Sequence, residues 1–367
     1  MNEHKTIKGN KGEWSEFYAF IKILADRQIF AADENLKKLS DKFFTVLKII
    51  REEAKNGKIT YDLQSDGNEI AIYNEKGDKI GTAKSDNIKK EVAAIFSKMK
   101  EEAKTAAFSI SVADSLIEEL GCTQIKASSG SKADLMLMIH DRITPTTPEL
   151  GFSIKSMLGS PSTLLNASGA TNLIFSVQGY KGNIEEVNAI EGKSKMRDRM
   201  KHIATHGGIV KFEGVHSPVF KKNLSKIDTI FPEIIAEIMK AYYSGKGSTM
   251  EELVTGILEN DEFKTKYNLD RGDYEYKIKN FLVSVALGMT PKKEWDGFTK
   301  AHGGYIVVKE DGEIVCYHLY NRDEFQNYLY KNTKLETPST TRHGYGSIYK
   351  EGDNLMMKLN LQIRFIK

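Results

Sequence analysis

The sequence predicts a mixed α/β fold in which helices and strands follow one another along the chain. Three observations lead to this prediction: apolar residues recur at helical spacing over 11–25, alternate at strand spacing over 132–156, and mark several helices over 232–290. A chain of 367 residues with 40% hydrophobic and 28% charged residues is typical of a globular protein with a large core. Its length favours two domains, or one domain with large insertions.

The first half of the chain supplies helices, small strands and one apolar strand. Helical patterns cover 11–25, 33–55, 86–107 and 111–122. Small strands with Asp-Gly and Lys-Gly turns lie between the second and third of these helices. Residues 171–179 are mostly apolar and predict a central strand.

The second half returns from helices to β structure. After the helical region, residues 303–320 predict a hairpin that turns at Asp311-Gly312. A short helix is expected at 323–332 and a closing, alternating strand at 354–366.

Composition indicates the cellular compartment of the protein more clearly than its function. The sequence contains no run of 18 apolar residues, so we expect no membrane span. The polar start MNEHKTIKGNKGEW has no signal-peptide pattern. Cys122 and Cys316 lie far apart and offer no zinc spacing, which fits a reducing cytoplasm. We therefore expect a cytoplasmic protein. The net charge of +3 does not itself indicate a nucleic-acid partner, although acids elsewhere could offset a basic face.

Two alternating apolar runs flank a Pro/Thr-rich turn in KADLMLMIHDRITPTTPELGFSIKS, residues 132–156. Each run carries one charge that a buried strand does not need, Asp134 in the first and Lys155 in the second. If the turn is centred near Ile143–Thr146, the two residues pair directly, with Cβ atoms roughly 5 Å apart. A slip by two residues would place them diagonally.

The two charges allow two interpretations. They could form a cross-strand salt bridge on a solvated face. Alternatively, they could form a metal-dependent phosphodiesterase site, in which a carboxylate holds Mg²⁺ and a cation lies near the attacking water and the charge developing on phosphate.

Several stretches of the chain resemble a known family. Asp134 followed by Ser153-Ile154-Lys155 is similar to the PD-(D/E)xK nuclease motif. The stretches KGEWSEFYAFIKIL, LGFSIKSMLGSPSTLLNASGATN and ETPSTTRHGYGSIY with KLNLQIRF resemble the HpaII family of type II restriction endonucleases, over almost the whole chain. The resemblance implies a PD-(D/E)xK nuclease core, which is a mixed sheet flanked by helices. This core, together with N-terminal helices, would occupy residues 1–230. A helical region, 231–300, and a β-rich C-terminal part for DNA recognition, 301–367, would follow.

The resemblance implies catalytic roles for Asp134, Ser153 and Lys155. Ser153 stands where the motif has its second acid, and a hydroxyl is a poor substitute for a carboxylate on Mg²⁺. Glu149 lies six residues before Lys155, about 20 Å along an extended strand at ~3.3 Å per residue, which is too far for a shared ion. Glu16 and Glu13 share one face of the first helix, and we favour Glu16 as the second metal ligand. Both could instead be solvated helix acids.

Two further stretches could contact DNA. The polar stretch after Lys155 contains no acid, and its small donors would allow a phosphate backbone to approach closely. Arg342 could read guanine in the major groove, assisted by two neighbours in STTRHGYGSIY. The alternatives are an ordinary polar loop and a surface loop with a local salt bridge. The predicted contacts are Ser160, Ser162, Asn166, Asn172, Arg342, His343 and Tyr345.

The resemblance implies a Mg²⁺-dependent type II restriction endonuclease that cleaves double-stranded DNA at a short palindrome, CCGG. It also implies a cognate methyltransferase as functional partner, and a palindrome makes a homodimer natural. Two alternatives stay open: a repair or structure-specific nuclease of the same superfamily, and a DNA-binding protein whose nuclease site has decayed. A basic cluster at 193–202 is interpreted as solvated surface, because its cations do not share one helical face.

Overall fold

The computed structural model describes residues 7–64, 67–127, 133–140, 146–259, 265–299 and 301–366, without the side chain of Leu319. These residues form two units. One contains the described parts of Met1–Ser162 and Thr299–Phe325, and the other those of Thr163–Phe298 and Gln326–Ile366. Helices and sheets occur together, which confirms the mixed α/β class. Among the described residues, no helix is both long and apolar enough to cross a membrane.

Helices and strands have the following bounds in chain order. The helices are α1 (Lys11–Asp26), α2 (Ser85–Glu101), α3 (Asp114–Glu119), α4 (Ile184–Ala189), α5 (Lys195–Thr205), α6 (Pro218–Ile227), α7 (Phe231–Tyr243), α8 (Met250–Leu258), α9 (Arg271–Ala286), α10 (Arg322–Lys331) and α11 (Thr340–His343). The strands are β1 (Lys8–Gly9), β2 (Gln28–Ala32), β3 (Lys38–Glu53), β4 (Gly57–Asp62), β5 (Glu69–Tyr73), β6 (Lys79–Lys84), β7 (Phe108–Ser109), β8 (Leu135–His140), β9 (Glu149–Ser156), β10 (Thr163–Leu165), β11 (Asn172–Gln178), β12 (Ile209–Val215), β13 (Gly304–Val308), β14 (Ile314–His318), β15 (Thr333–Leu335), β16 (Ile348–Glu351), β17 (Asn354–Asn360) and β18 (Ile363–Phe365).

The first unit is built on a mixed sheet. Nine described strands form it in the order β2-β14-β13-β9-β8-β3-β4-β5-β6, and β13 runs parallel to its neighbour β9. Helix α1 packs against α2 and β9 and buries Trp14, Phe17 and Phe20 completely. The hairpin β13–β14, which the sequence analysis assigned to the C-terminal part, belongs to this sheet.

The predicted helix at 33–55 is wrong, because most of this region is strand β3. A bulge interrupts the pairing of β3 with β8 between Val46 and Lys48. Val46 pairs with Ile139 and Ile49 with Leu137, so the bulge turns two residues three apart toward the same core. A bulge thus gave a strand the apolar spacing of a helix.

The β8–β9 hairpin forms in a different register from the one predicted. Leu135 pairs with Phe152 and Met136 with Gly151, so Asp134 continues the ladder opposite Ser153. The predicted direct pairing of Asp134 with Lys155 is therefore wrong, because the observed register differs from it by two residues. The proposed turn centre included residues 143–145, which lie outside the described residues.

The second unit contains two smaller sheets and most of the helices. Four described strands pair in the order β12-β11-β17-β16, and three in the order β10-β18-β15. Strand β11 lies between two neighbours, as its apolar sequence predicts. The predicted closing strand is split into β17 and β18.

A buried ion pair stands at the end of β3. Arg51 and Glu53 form a salt bridge with side chains only 2% and 0% exposed. Arg51 Nη2 donates to the carbonyl oxygens of Gln124 at 2.6 Å and Ile125 at 2.7 Å. Glu53 Oε2 accepts hydrogen bonds from the Thr123 amide and hydroxyl, both at 2.7 Å. Both charges are satisfied, and they attach segment 123–125 to the sheet.

We expect Arg51→Met to lower the free energy of unfolding by about 3–5 kcal/mol, because the buried Glu53 carboxylate loses its counter-charge. Lys79→Met is the control, since the Lys79–Glu69 pair is about half exposed on both sides and is worth at most about 1 kcal/mol. Urea denaturation followed by circular dichroism measures both variants. Equal losses would contradict a special role for the buried pair.

Candidate active site

Asp134 is held by the backbone of β9. Its amide donates to the Phe152 carbonyl oxygen at 2.9 Å. Its Oδ2 atom accepts hydrogen bonds from the Ile154 amide at 2.8 Å and from the Ser153 hydroxyl at 3.1 Å. Among the described residues, Oδ1 has no hydrogen-bond partner. The carboxylate is therefore fixed through one oxygen and can offer the other to a ligand.

Lys155 lies two residues beyond Ser153 on the same face of β9 and is half-buried. Neither Asp134 nor any other described acid forms an ion pair with it within 4 Å. The salt-bridge interpretation of the two charges therefore does not hold for the described residues. A carboxylate and an ammonium group therefore lie near each other on two paired strands and do not form a salt bridge.

Glu16 brings a second carboxylate to this site from α1. Its side chain is 14% exposed and lies 3.2 Å from Lys126 Nζ through Oε1. Its Oε2 atom is buried without a hydrogen-bond partner among the described residues. Burial and then the charge of Asp134 raise the pKa of Glu16 to about 7, against the opposing charges of Lys126 and Lys155.

The other two acids considered as ligands have different environments. Glu13 belongs to the capping box of α1, where its Oε2 accepts a hydrogen bond from the Asn10 amide at 2.8 Å. Glu149 is exposed at the start of β9 and pairs with Met138, well before Ser153 along the strand. Neither environment shows the buried, unsatisfied oxygen found at Glu16.

The site fits a divalent cation that keeps several water ligands. Within the described ranges, no group of three or more His, Cys, Asp or Glu side chains could hold a metal ion. Mg²⁺ does not need such a cage, because it commonly binds one or two carboxylates together with water and substrate phosphates. Asp134 Oδ1 and Glu16 Oε2 are the two oxygens that match this requirement.

The sequence analysis missed Lys126. This residue lies in an irregular segment after α3, where no periodic pattern marks it, and only its position shortly before Asp134 could have drawn attention to it. Burial lowers the pKa of Lys126, but the nearby carboxylates of Glu16 and Asp134 outweigh that effect and raise it above its usual value. Lys126 is thus a second cation at the carboxylate pair.

Three of the predicted DNA contacts lie in the polar stretch after β9. Ser160 and Asn166 are exposed. The Ser162 hydroxyl donates to the Ser156 carbonyl oxygen at 2.7 Å, and Lys11 Nζ donates to that of Ser160 at 2.7 Å. The exposed side chains of Ser160 and Asn166 are accessible to a ligand, whereas Ser162 shapes the loop.

The remaining predicted contacts belong to the second unit and differ in exposure. Arg342 is exposed on α11 and forms no ion pair with a described residue, and His343 is half-buried. Asn172 is 3% exposed and donates to the His343 carbonyl oxygen at 2.9 Å. Tyr345 is 5% exposed and donates to the Pro338 carbonyl oxygen at 2.7 Å. Asn172 and Tyr345 therefore support the loop rather than face a ligand.

Arg199 corrects the interpretation of the basic cluster as solvated surface. It is 3% exposed and donates to the carbonyl oxygens of Asn188 at 2.6 Å, Ile190 at 3.0 Å and Gly346 at 2.8 Å. A cleft of about 470 Å³ lies beside it. The cleft is lined by hydroxyl and cationic side chains that include Lys195, Thr340, Thr341, Ser347 and Lys358.

Comparisons with known proteins agree with these features. A family model described as HpaII restriction endonuclease matches residues 10–365. The type II restriction enzyme HpaII of Haemophilus parainfluenzae is 42% identical over 363 residues, which cover 98% of this chain and 99% of that protein. No solved structure matches the chain.

The raised pKa of Glu16 predicts a pH-dependent cost to stability. An ordinary carboxyl in the unfolded chain ionises near 4.5, whereas Glu16 in the folded chain ionises near 7, so stability should fall as pH rises between these values. We expect metal-free Glu16→Gln to be more stable than the wild type by about 1–3 kcal/mol at pH 8 and equally stable at pH 4.5.

Thermal or urea unfolding in EDTA at both pH values measures this difference. Glu149→Gln, which removes an exposed carboxylate, is the control and should match the wild type throughout. A Glu16→Gln variant no more stable than the wild type at pH 8 would contradict the buried, charged state of Glu16.

Proposed function

This chain belongs to the HpaII family of restriction endonucleases, and from that membership we propose a Mg²⁺-dependent enzyme that cleaves both strands of DNA at CCGG. It is a site-specific restriction endonuclease. Membership favours restriction over the repair or structure-specific alternative. One observation carries the chemistry: Asp134 and Lys155 lie near each other on paired strands without forming a salt bridge, next to the buried carboxylate of Glu16.

We assign the first unit to the PD-(D/E)xK class. The support is a mixed sheet in which β8 and β9 carry Asp134 and Lys155, with α1 packed against β9. Ser153 replaces the second acid of the motif, and its hydroxyl orients Asp134 instead of replacing the lost ligand. Glu16 supplies the second carboxylate from α1. A decayed site would not require a buried, unsatisfied oxygen at that position.

Asp134 and Glu16 would hold the metal. Mg²⁺ bound there would polarise the phosphodiester and lower the pKa of a water molecule. In the reaction, a water oxygen forms a bond to phosphorus, one P–O ester bond breaks, the water loses a proton to solvent and the leaving oxygen gains one. Lys155 orients the water and offsets the negative charge that develops on phosphate. No side chain forms a covalent bond to the substrate.

We propose as DNA contacts those predicted residues whose side chains are accessible to solvent. Arg342 is the candidate for base reading, because a free guanidinium can donate two hydrogen bonds to guanine O6 and N7. His343 lies next to it, and Ser160 and Asn166 could contact phosphates. A palindromic site makes a two-fold homodimer the natural assembly, and a cognate methyltransferase would protect the same site in the host.

Lys155→Ala and Asp134→Asn should each slow plasmid cleavage by about 100-fold or more. The first variant loses the cation that offsets the negative charge developing on phosphate, and the second loses a ligand of the proposed metal ion. Specific binding, measured by gel shift on a CCGG duplex, should persist for Lys155→Ala. Glu149→Gln is the matched control and should cut at the wild-type rate. A folded Lys155→Ala variant that cuts at the wild-type rate would remove Lys155 from the active site.

Arg342→Ala should weaken binding to a CCGG duplex by about 1–3 kcal/mol, the size of one bidentate guanine contact. Binding to unrelated DNA should hardly change, since it depends on phosphate contacts spread over many residues. Titration of both duplexes at several salt concentrations distinguishes the two roles. Equal losses on both, with a salt slope lower by about one unit, would identify Arg342 as a phosphate contact.

A further inference from the structure

The segment that carries Lys126 is unusually well fixed for an irregular one. The buried Arg51–Glu53 pair binds residues 123–125 through four hydrogen bonds. Ile125 is 3% exposed and packs in the core of the first unit. Because buried charged groups that lose their hydrogen-bond partners are costly, the segment cannot leave this position without a large penalty. The backbone just before Lys126 is therefore anchored to the sheet.

The two side chains of the Lys126–Glu16 ion pair differ in exposure and in conformational freedom. Glu16 projects from the rigid helix α1 and its side chain is 14% exposed, whereas that of Lys126 is 41% exposed. A lysine has four rotatable side-chain bonds and can turn its ammonium group into solvent while its backbone stays fixed. The ammonium is therefore the partner that can move away from Glu16.

A metal ion and the ammonium group of Lys126 would compete for the carboxylate of Glu16. Glu16 Oε1 is held by Lys126, while Oε2 has no described partner. A divalent cation bound to this carboxylate and to Asp134 would repel an ammonium group at hydrogen-bond distance from the same carboxylate.

We propose that Lys126 is a displaceable counter-ion, which neutralises Glu16 while the metal site is empty and withdraws when Mg²⁺ binds. This inference rests on the proposed metal site. It makes Lys126 a positioning residue that lowers the affinity of the resting enzyme for Mg²⁺. A surface salt bridge remote from the metal ligands would have no such effect on metal affinity.

Isothermal titration of the DNA-free protein with MgCl₂, in wild type and variants, tests the proposal without a cleavage assay. Lys126→Met should bind Mg²⁺ about fivefold or more tightly, because the competing charge is gone. Lys126→Arg retains the charge and should bind like the wild type. The control is Lys98→Met, which removes a lysine paired with Glu101 at 2.7 Å on the surface of α2.

Unchanged or weaker Mg²⁺ binding by Lys126→Met would overturn the counter-ion role, as would an equal gain in Lys98→Met. Glu16→Gln separates this failure from a failure of the proposed function. If Glu16→Gln loses Mg²⁺ binding while Lys126→Met is unchanged, the metal site stands and only the role of Lys126 fails. If Glu16→Gln binds Mg²⁺ like the wild type, Glu16 is not a ligand, and both proposals fail.

Discussion

The register between β8 and β9 is the constraint on which the candidate site depends. It places Asp134 opposite Ser153, so that the Ile154 amide and the Ser153 hydroxyl both hold one carboxylate oxygen. Lys155 then lies diagonally from Asp134. In the direct pairing, the two charges would have met and neutralised each other. The two-residue offset therefore leaves a carboxylate and an ammonium group on the same pair of strands, and both are available to a substrate.

The fold was predictable where local pattern and tertiary structure agree, as at α1 and at the hairpin that turns at Asp311-Gly312. It was not predictable at β3, because a bulge changes the strand period and only pairing with other strands reveals it. Of the site, Asp134 and Lys155 carry a motif in sequence. The unsatisfied oxygen of Glu16 and the ion pair of Lys126 depend on burial and on contacts between distant segments, which a single sequence does not reveal.

Charged side chains inside each unit hold irregular segments in place. In the first unit, Arg51 attaches the segment before Lys126 to the sheet. In the second, Arg199 joins the chain at Asn188 to the loop that follows α11, close in sequence to Arg342. Arginine suits this purpose, because its several donors in fixed directions can satisfy more than one carbonyl group. In each unit, a buried arginine thus holds backbone that is close in sequence to a more exposed cation.

The parallel strand beside β9 has a consequence for the synthesis of the protein. Strand β13, at Gly304–Val308, pairs along Phe152–Ser156, although about two fifths of the chain separates them. On a ribosome, the strand that carries Lys155 waits with one edge open until the chain beyond residue 308 has emerged. A chain that ends before residue 304 therefore cannot complete the sheet that supports Asp134 and Lys155.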